Sequence, residues 1–280
     1  MESAREHIYL AALLHDIGKF YQRADTGSVK GSKFLKTHCK DEPTFCPMNP
    51  QGNYTHKHVL WTAQFIEDFA PIFKALINDE TSNLSVKDNL MNLSAGHHLK
   101  DDQLSEWGKL IKEADCLSSG MDRSSVEAMK DNQDESETGW DAFKKKRMGP
   151  ILQTIGCGKK DAEWMHLPVG KMSLTKDYFP KDSFQGAPDY AELWEEFINE
   201  FKFVQANTYR AFAETLLNLL YKYTSTVPAS TINFPDVSLY DHLKTTAALA
   251  VCLYDFQQSK KDEQHPFLLI GADFSGIQTY

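Results

Sequence analysis

The sequence is short of several features that would assign a class at once. Its five cysteines, Cys39, Cys46, Cys116, Cys157 and Cys252, are dispersed and odd in number. That excludes the dense pairing of a small disulfide-stapled domain and fits reduced thiols. His38, Cys39 and Cys46 lie close together, but no second CxxC-like pair is present, so a structural zinc there would lack half of its usual pattern. No apolar run is long enough to span a bilayer. The start, Met1-Glu-Ser-Ala-Arg-Glu-His7, has neither the basic patch nor the apolar core of a secretory signal. The expected location is the cytoplasm, with no membrane partner. Excess positive charge is missing too. A net charge of −9 excludes a protein coated in basic surface for duplex DNA. It leaves open a single strand held in a local groove, because metal ions offset the acidic ligands around them.

What is present is ordinary globular material: 280 residues, 41% hydrophobic and 25% charged. This suffices for one large domain, or one domain and part of a second. The patterning is mainly helical. Ile8, Ala11, Ala12 and His15 share one face of a first helix, with Gly18 loosening its end. Residues 26–55, rich in Gly, Ser, Lys and Pro, read as a loop. Helices are expected over Thr55–Phe69, with His56 in the first turn, and over Pro71–Ile77, Val86–Leu99 and Leu104–Leu117. Further helices are expected over Asp189–Gln205, Thr208–Tyr223 and Ser238–Gln257, the last with Ser238 as its N-cap.

Between these lies a polar insertion, about residues 118–190. It contains the acidic run Asp131–Glu137 and the basic run Lys144–Arg147. The basic run reads as a solvated face, or as a contact to a phosphate backbone. Pro150–Ile155 and Trp164–Leu174 read as short strands of a hairpin. Phe267–Ile270 reads as one buried strand. A lone strand makes no sheet, so it either docks on the helices or opens a second domain cut short. The second reading is preferred, giving a helical domain over 1–262 and the start of another over 263–280.

Candidate chemistry comes from His and Asp at helix ends and on buried faces: His15, Asp16, His56, His97, His98, Asp115 and His242. Singly, each has an ordinary explanation as a packed, hydrogen-bonded core residue. Together, imidazoles and carboxylates suit Mn, Fe, Co, Ni or Zn better than a purely oxygen site would. Asp16 is placed to bridge two ions if two bind. Such a pair holds both the attacking and the phosphate oxygens of a phosphodiester reaction. Lys19 lies one helical turn beyond His15, either to neutralise a phosphate or as a solvated lysine.

The string Ala11-Ala-Leu-Leu-His-Asp-Ile-Gly-Lys19 resembles the HD phosphohydrolase superfamily, whose usual chain order is His, His-Asp, further His, then Asp. Here the leading His helix is absent from the front. A matching helix, Leu239-Tyr-Asp-His-Leu-Lys-Thr-Thr-Ala-Ala-Leu-Ala250, stands near the far end. The implied fold is a circularly permuted HD-type helical domain, mainly α, with a small β-hairpin insertion and the first strand of a palm-like α+β domain. His242 is then the displaced ligand. Three further runs narrow the resemblance: Ala114-Asp-Cys-Leu-Ser-Ser-Gly-Met-Asp-Arg123, Asp236–Ala247 and Gly271-Ala-Asp-Phe-Ser-Gly-Ile-Gln278. With the first helix they resemble the large subunit of type III-A CRISPR effector complexes.

That resemblance implies a metal-dependent, single-strand-specific deoxyribonuclease, activated when the guide RNA complex pairs with target RNA. It implies other effector subunits as partners. In such subunits a palm region with Gly-Gly-Asp-Asp makes cyclic oligoadenylates from ATP. That motif does not occur in these residues, so ATP concerns the palm of a parent chain only. The implied site has His15, Asp16, Asp115 and His242 on one divalent ion (Mn, Ni or Co). His56 and His97 serve a second, with His98 as alternate ligand or support. A phosphohydrolase of nucleotides or cyclic dinucleotides, and a scaffold with an idle pocket, are the alternatives.

Overall fold

A computed structural model describes residues 2–76, 85–119, 142–154, 165–204, 208–231, 235–259, 266–268 and 270–271. Ten helices are described: α1 (Glu2–Leu14), α2 (Ile17–Ala24), α3 (Glu42–Phe45), α4 (His58–Asp68), α5 (Ala70–Leu76), α6 (Leu90–Ala95), α7 (Glu106–Ser119), α8 (Tyr190–Phe201), α9 (Tyr209–Thr224) and α10 (Leu239–Ser259). Among the described residues β structure amounts to three isolated bridges. No helix of the described part is long and apolar enough to cross a membrane.

The helix α1 is enclosed. Ile8 and every side chain from Leu10 to Leu14 are fully buried, because the last helix, α10, packs along α1 and α7, while α6 covers another face of α1. Helix α10 thus completes the core around α1. Helix α10 starts where its sequence signals a start: the Ser238 hydroxyl accepts from Asp241 N–H at 3.0 Å and donates to the Asp241 carboxylate at 2.7 Å, satisfying a donor the first turn leaves open. On the other side, α2 packs on α4 and α8. An aromatic cluster fills that junction. Tyr21 stacks on Trp194 at 4.2 Å, and Phe65 contacts Trp194, Phe197 and Phe201. Each such ring contributes about 1.5–3 kcal/mol by its burial.

Several expectations need correction. The first helix does not run on to Gly18; it breaks at His15–Asp16 and restarts as α2. Gly18 lies in the first turn of α2, where a Cβ would meet the His58 carbonyl oxygen at 2.1 Å and Thr62 N at 2.6 Å. Glycine there allows α2 and α4 to touch, so its role is close approach rather than fraying. Among the described residues the expected hairpin is not formed. Ile151–Thr154 is a 3-10 turn, and His166 bridges singly to Lys181. Residues 155–164 lie outside the described set. Of the expected strand at Phe267–Ile270, the described residues 266–268 and 270–271 have no regular structure, and Leu268 and Ile270 are exposed. The acidic run Asp131–Glu137 also falls outside the described residues. The basic run is docked: Lys144 Nζ donates to the Asp25 and Gly27 carbonyls, and Tyr190 OH donates to the Lys146 carbonyl at 2.6 Å.

Candidate metal centre

The site begins with the break between α1 and α2. Asp16 occupies the N-cap position of α2 but makes no capping hydrogen bond. Its carboxylate is turned into the protein instead, 1% exposed. The break is fixed by neighbours. The Thr62 hydroxyl on α4 donates to the His15 carbonyl at 2.9 Å and accepts from Gly18 N–H at 3.1 Å.

The two carboxylate oxygens of Asp16 face two different groups. On one side Oδ1 lies 2.9 Å from His58 Nε2 and 3.6 Å from His97 Nε2. On the other, Oδ2 lies 3.3 Å from His15 Nε2, 3.2 Å from His242 Nε2 and 2.6 Å from Lys19 Nζ. Asp115 on α7 closes the second group, its Oδ1 3.5 Å from His15 Nε2 and 3.2 Å from His242 Nε2. Two sets of four donors result, Asp16–His58–His97–His98 and His15–Asp16–Asp115–His242, with the donor atoms of each set within 4.8 Å of one another.

The histidine tautomers make these sets suited to a cation. His15 Nδ1–H donates to the Ala12 carbonyl at 2.7 Å. His97 Nδ1–H donates to the Ser94 carbonyl at 2.7 Å. His242 Nδ1–H donates to Ser118 Oγ at 3.1 Å, whose hydroxyl passes on to the His242 carbonyl at 3.3 Å. In the neutral ring each such bond leaves Nε2 as a bare lone pair. The Nε2 atoms converge: His15 Nε2 is 3.2 Å from His242 Nε2, and His98 Nε2 is 3.3 Å from His58 Nε2. Among the described residues His97 Nε2, buried, has no hydrogen-bond partner. Buried acceptors facing acceptors and carboxylates cost free energy unless a cation lies between them. The donor span is compatible with ligand bonds of about 2.0–2.2 Å. The residues present therefore fit a divalent transition-metal ion in each set, and the backbone and hydroxyl acceptors on Nδ1 are the usual outer support of such imidazoles.

Protonation obeys the same logic. Burial opposes a charged His15, but Asp16 and Asp115 outweigh it and push its pKa up to about 10. Burial likewise opposes charge on Asp16, yet Lys19 and His15 hold its carboxyl well below the usual range. Asp115 is also held low: burial works against it, and the bonds to His15 and His242 prevail. His58 goes the other way, pushed down to about 3 by burial despite Asp16. His98 is lowered by burial and by the neighbouring His97, His56 and His58. With a proton at His15 and neutral rings at His58 and His98, the donor sets are ready to exchange that proton for a metal.

Of the residues singled out from sequence, His15, Asp16, Asp115 and His242 meet in one set, while His97 and His98 meet Asp16 in the other. His56 does not join either. The residue on Asp16 Oδ1 is His58, which the sequence pattern does not single out. The cause is helix register: α4 begins at His58, not at Thr55. His56 stands before it with φ of 53°, a left-handed turn that aims the following His58 inward. The His56 ring instead lies 4.1 Å from the His98 ring. Lys19 is bound to Asp16 rather than freely solvated.

An HD domain description matches residues 1–120, which carry every residue of both sets except His242. Two relatives share 27% identity with the chain. Both are named CRISPR system single-strand-specific deoxyribonuclease Cas10/Csm1 (subtype III-A). The match to the one from Methanocaldococcus jannaschii covers 97% of this chain and 34% of the relative. The match to that from Streptococcus thermophilus covers all of this chain and 34% of the relative. The chain thus spans about a third of the length of these relatives. A solved Csm1–Csm4 subcomplex of the type III-A CRISPR-Csm interference complex superposes over 92% of this chain and 29% of its own, with a TM-score of 0.52 at 20% identity. At that identity the superposition speaks for the fold. The chain is therefore similar over nearly its whole length to the Cas10/Csm1 deoxyribonucleases of CRISPR subtype III-A, with a match to the HD domain over residues 1–120.

Proposed function

We propose that this chain is the metal-dependent nuclease domain of a type III-A CRISPR large subunit. It hydrolyses phosphodiester bonds of single-stranded DNA, within a ribonucleoprotein of guide RNA and further effector subunits, when target RNA is paired. The observation that carries the reading is the Asp16 carboxylate, buried and shared between two convergent sets of His and Asp donors.

In this reading His15, Asp16, Asp115 and His242 hold one divalent ion, and Asp16, His58, His97 and His98 hold another. Mn, Ni or Co would suit such mixed nitrogen and carboxylate donors, as Fe and Zn also would. The bound ions supply Lewis acidity for the phosphate and hydroxide near neutral pH. The protein's own part is orientation. Ala12, Ser94 and Ser118 lock three imidazoles with Nε2 inward. Lys19, beside Asp16 at 2.6 Å, would be positioned to meet a phosphate oxygen. His56 stands outside the ligand sets, beside His98. Residues 1–262 form the nuclease unit, and 263–280 belong to the start of a second domain.

The test gives labelled single-stranded DNA, and in parallel a panel of nucleotides and cyclic dinucleotides, to the purified protein with Mn²⁺ or Ni²⁺. Cleavage of the strand by wild type and its loss in His15→Ala/Asp16→Ala is the expected result. Equal cleavage by both proteins would overturn the assignment. Turnover of nucleotides without strand cleavage would move the substrate class. A protein that takes up no metal and cleaves nothing would be a scaffold.

A further inference from the structure

Residues 26–40 contain Lys30, Lys33, Lys36 and Lys40 and no carboxylate, in a chain with a net charge of −9. All four lysines are exposed, and none joins an ion pair among the described residues. The next two carboxylates along the chain are already engaged, Asp41 by His38 and Glu42 by Lys57.

The arc is also held in a fixed shape. Asp25, 1% exposed, accepts from Gly27 N–H at 3.0 Å, Lys33 N–H at 3.2 Å and Trp61 Nε1–H at 3.0 Å, and from the Ser32 hydroxyl. Gln64 Oε1 on α4 accepts from Thr37 N–H at 2.9 Å. A buried carboxylate and a buried amide are thus committed to ordering a lysine-bearing loop, which Leu35 anchors to the core. The Lys144 ammonium on the Asp25 and Gly27 carbonyls brings the second basic run to the same place, with Lys145 and Lys146 exposed beside it.

Position links this surface to the metal centre. Helix α2, eight residues and so about 12 Å long, carries Asp16 and Lys19 at one end and Asp25 with the arc at the other. The loop that bears the lysines re-enters the fold at His58, a member of the donor set. We infer that Lys30, Lys33, Lys36, Lys40, Lys145 and Lys146 form a phosphate track that holds a single nucleic-acid strand extending from the metal centre. The inference rests on the nuclease reading for the strand's identity. Charge complementarity in an otherwise acidic protein carries it, since phosphate contacts dominate such binding.

The experiment measures anisotropy of labelled oligothymidylate and oligouridylate with the full chain in EDTA, across a salt series. Wild type is compared with Lys30→Ala/Lys33→Ala/Lys36→Ala/Lys40→Ala and with Lys145→Ala/Lys146→Ala. The ion-paired lysines of Lys109→Ala/Lys171→Ala serve as control. For single strands each lost phosphate contact lowers the log–log salt slope by about 0.7, so the quadruple variant should lose about 2–3 from the slope and bind at least about tenfold more weakly. Its melting temperature and its Mn²⁺-dependent hydrolysis of bis(p-nitrophenyl) phosphate should be unchanged, because the small ester needs only the metal centre. Similar losses for both oligonucleotides place recognition in the backbone; a loss for only one assigns the track to that nucleic acid. Unchanged affinity and slope in both lysine variants would overturn the track. Failure of wild type to hydrolyse either a strand or the small ester would remove the nuclease reading, and the binding comparison would still decide the track.

Discussion

His15 and His242 face each other Nε2 to Nε2 at 3.2 Å across 227 residues of chain, both with Nδ1 committed to a fixed acceptor. As neutral rings the two lone pairs would not attract, and in the metal-free protein the one proton that His15 binds lies among His242 and the two carboxylates. The pair is held by the packing of α10 on α1 and α7, and Asp16 and Asp115 on either side supply the charge that a shared cation would balance. Removing His242 should therefore act on metal binding rather than on folding. His242→Ala is expected to keep a native circular dichroism spectrum while losing more than the roughly 10–100-fold in metal affinity that supporting residues cost. Mn²⁺ titration by calorimetry checks it, and unchanged affinity would remove His242 from the centre.

Ser118 tests the support behind that ligand. Its hydroxyl is the acceptor that fixes the His242 tautomer. Ser118→Ala should lower metal affinity and cleavage by about 10–100-fold with little change in melting temperature. Ser118→Thr keeps the hydroxyl and should restore most of the loss. A merely structural role would give no such rescue in the metal titration.

Metal affinity should rise with pH. Below about 10 His15 binds a proton in the metal-free protein, because the neighbouring carboxylates outweigh the cost of burying the charge. Metal must displace that proton. Lowering the pH therefore favours the protonated, metal-free form, and affinity should grow by about tenfold per pH unit from pH 6.5 to 8.5 if one proton is released. Calorimetry in buffers of different ionisation enthalpy counts the proton directly. Affinity that stays flat over this range contradicts the displacement.

Gly18 tests the contact between α2 and α4 that carries His58 to Asp16. A methyl group there would meet the His58 carbonyl and Thr62 N well inside van der Waals distance, and both are backbone atoms that cannot swing aside. Gly18→Ala should cost about 1–3 kcal/mol by overpacking, and should weaken the His58-containing set more than the His242-containing one. Thermal melting and a two-site metal titration separate the two effects.

Much of this centre is legible in the sequence because its chemistry is concentrated in short strings. His15-Asp16 sits in an apolar run, His97-His98 ends another, and Asp115 closes a helical ladder. Ser238 and the stripe from Leu239 to Tyr254 mark a buried helix that carries His242, and the resemblance to the permuted HD order is what singles that histidine out as a ligand. His58 is hidden by register. Thr55 to Phe69 has a helical pattern throughout, and only the left-handed residue His56 shows that the helix starts at His58. The break at His15–Asp16 is hidden for a related reason: the hydrogen bonds from Thr62 that fix it come from a distant helix. The supposed strands of 150–174 show the limit of apolar runs as strand signals. With no partner strand among the described residues, Ile151–Thr154 takes the local 3-10 form.

The central claim is that Asp16 is shared between two ions. Crystals of the protein grown with Mn²⁺ and measured at the manganese absorption edge test it most directly. The account predicts two anomalous peaks flanking the Asp16 carboxylate about 3.5–4 Å apart, one among His15, Asp115 and His242 and the other among His58, His97 and His98. Absence of anomalous density at Asp16 in a metal-loaded protein would contradict it.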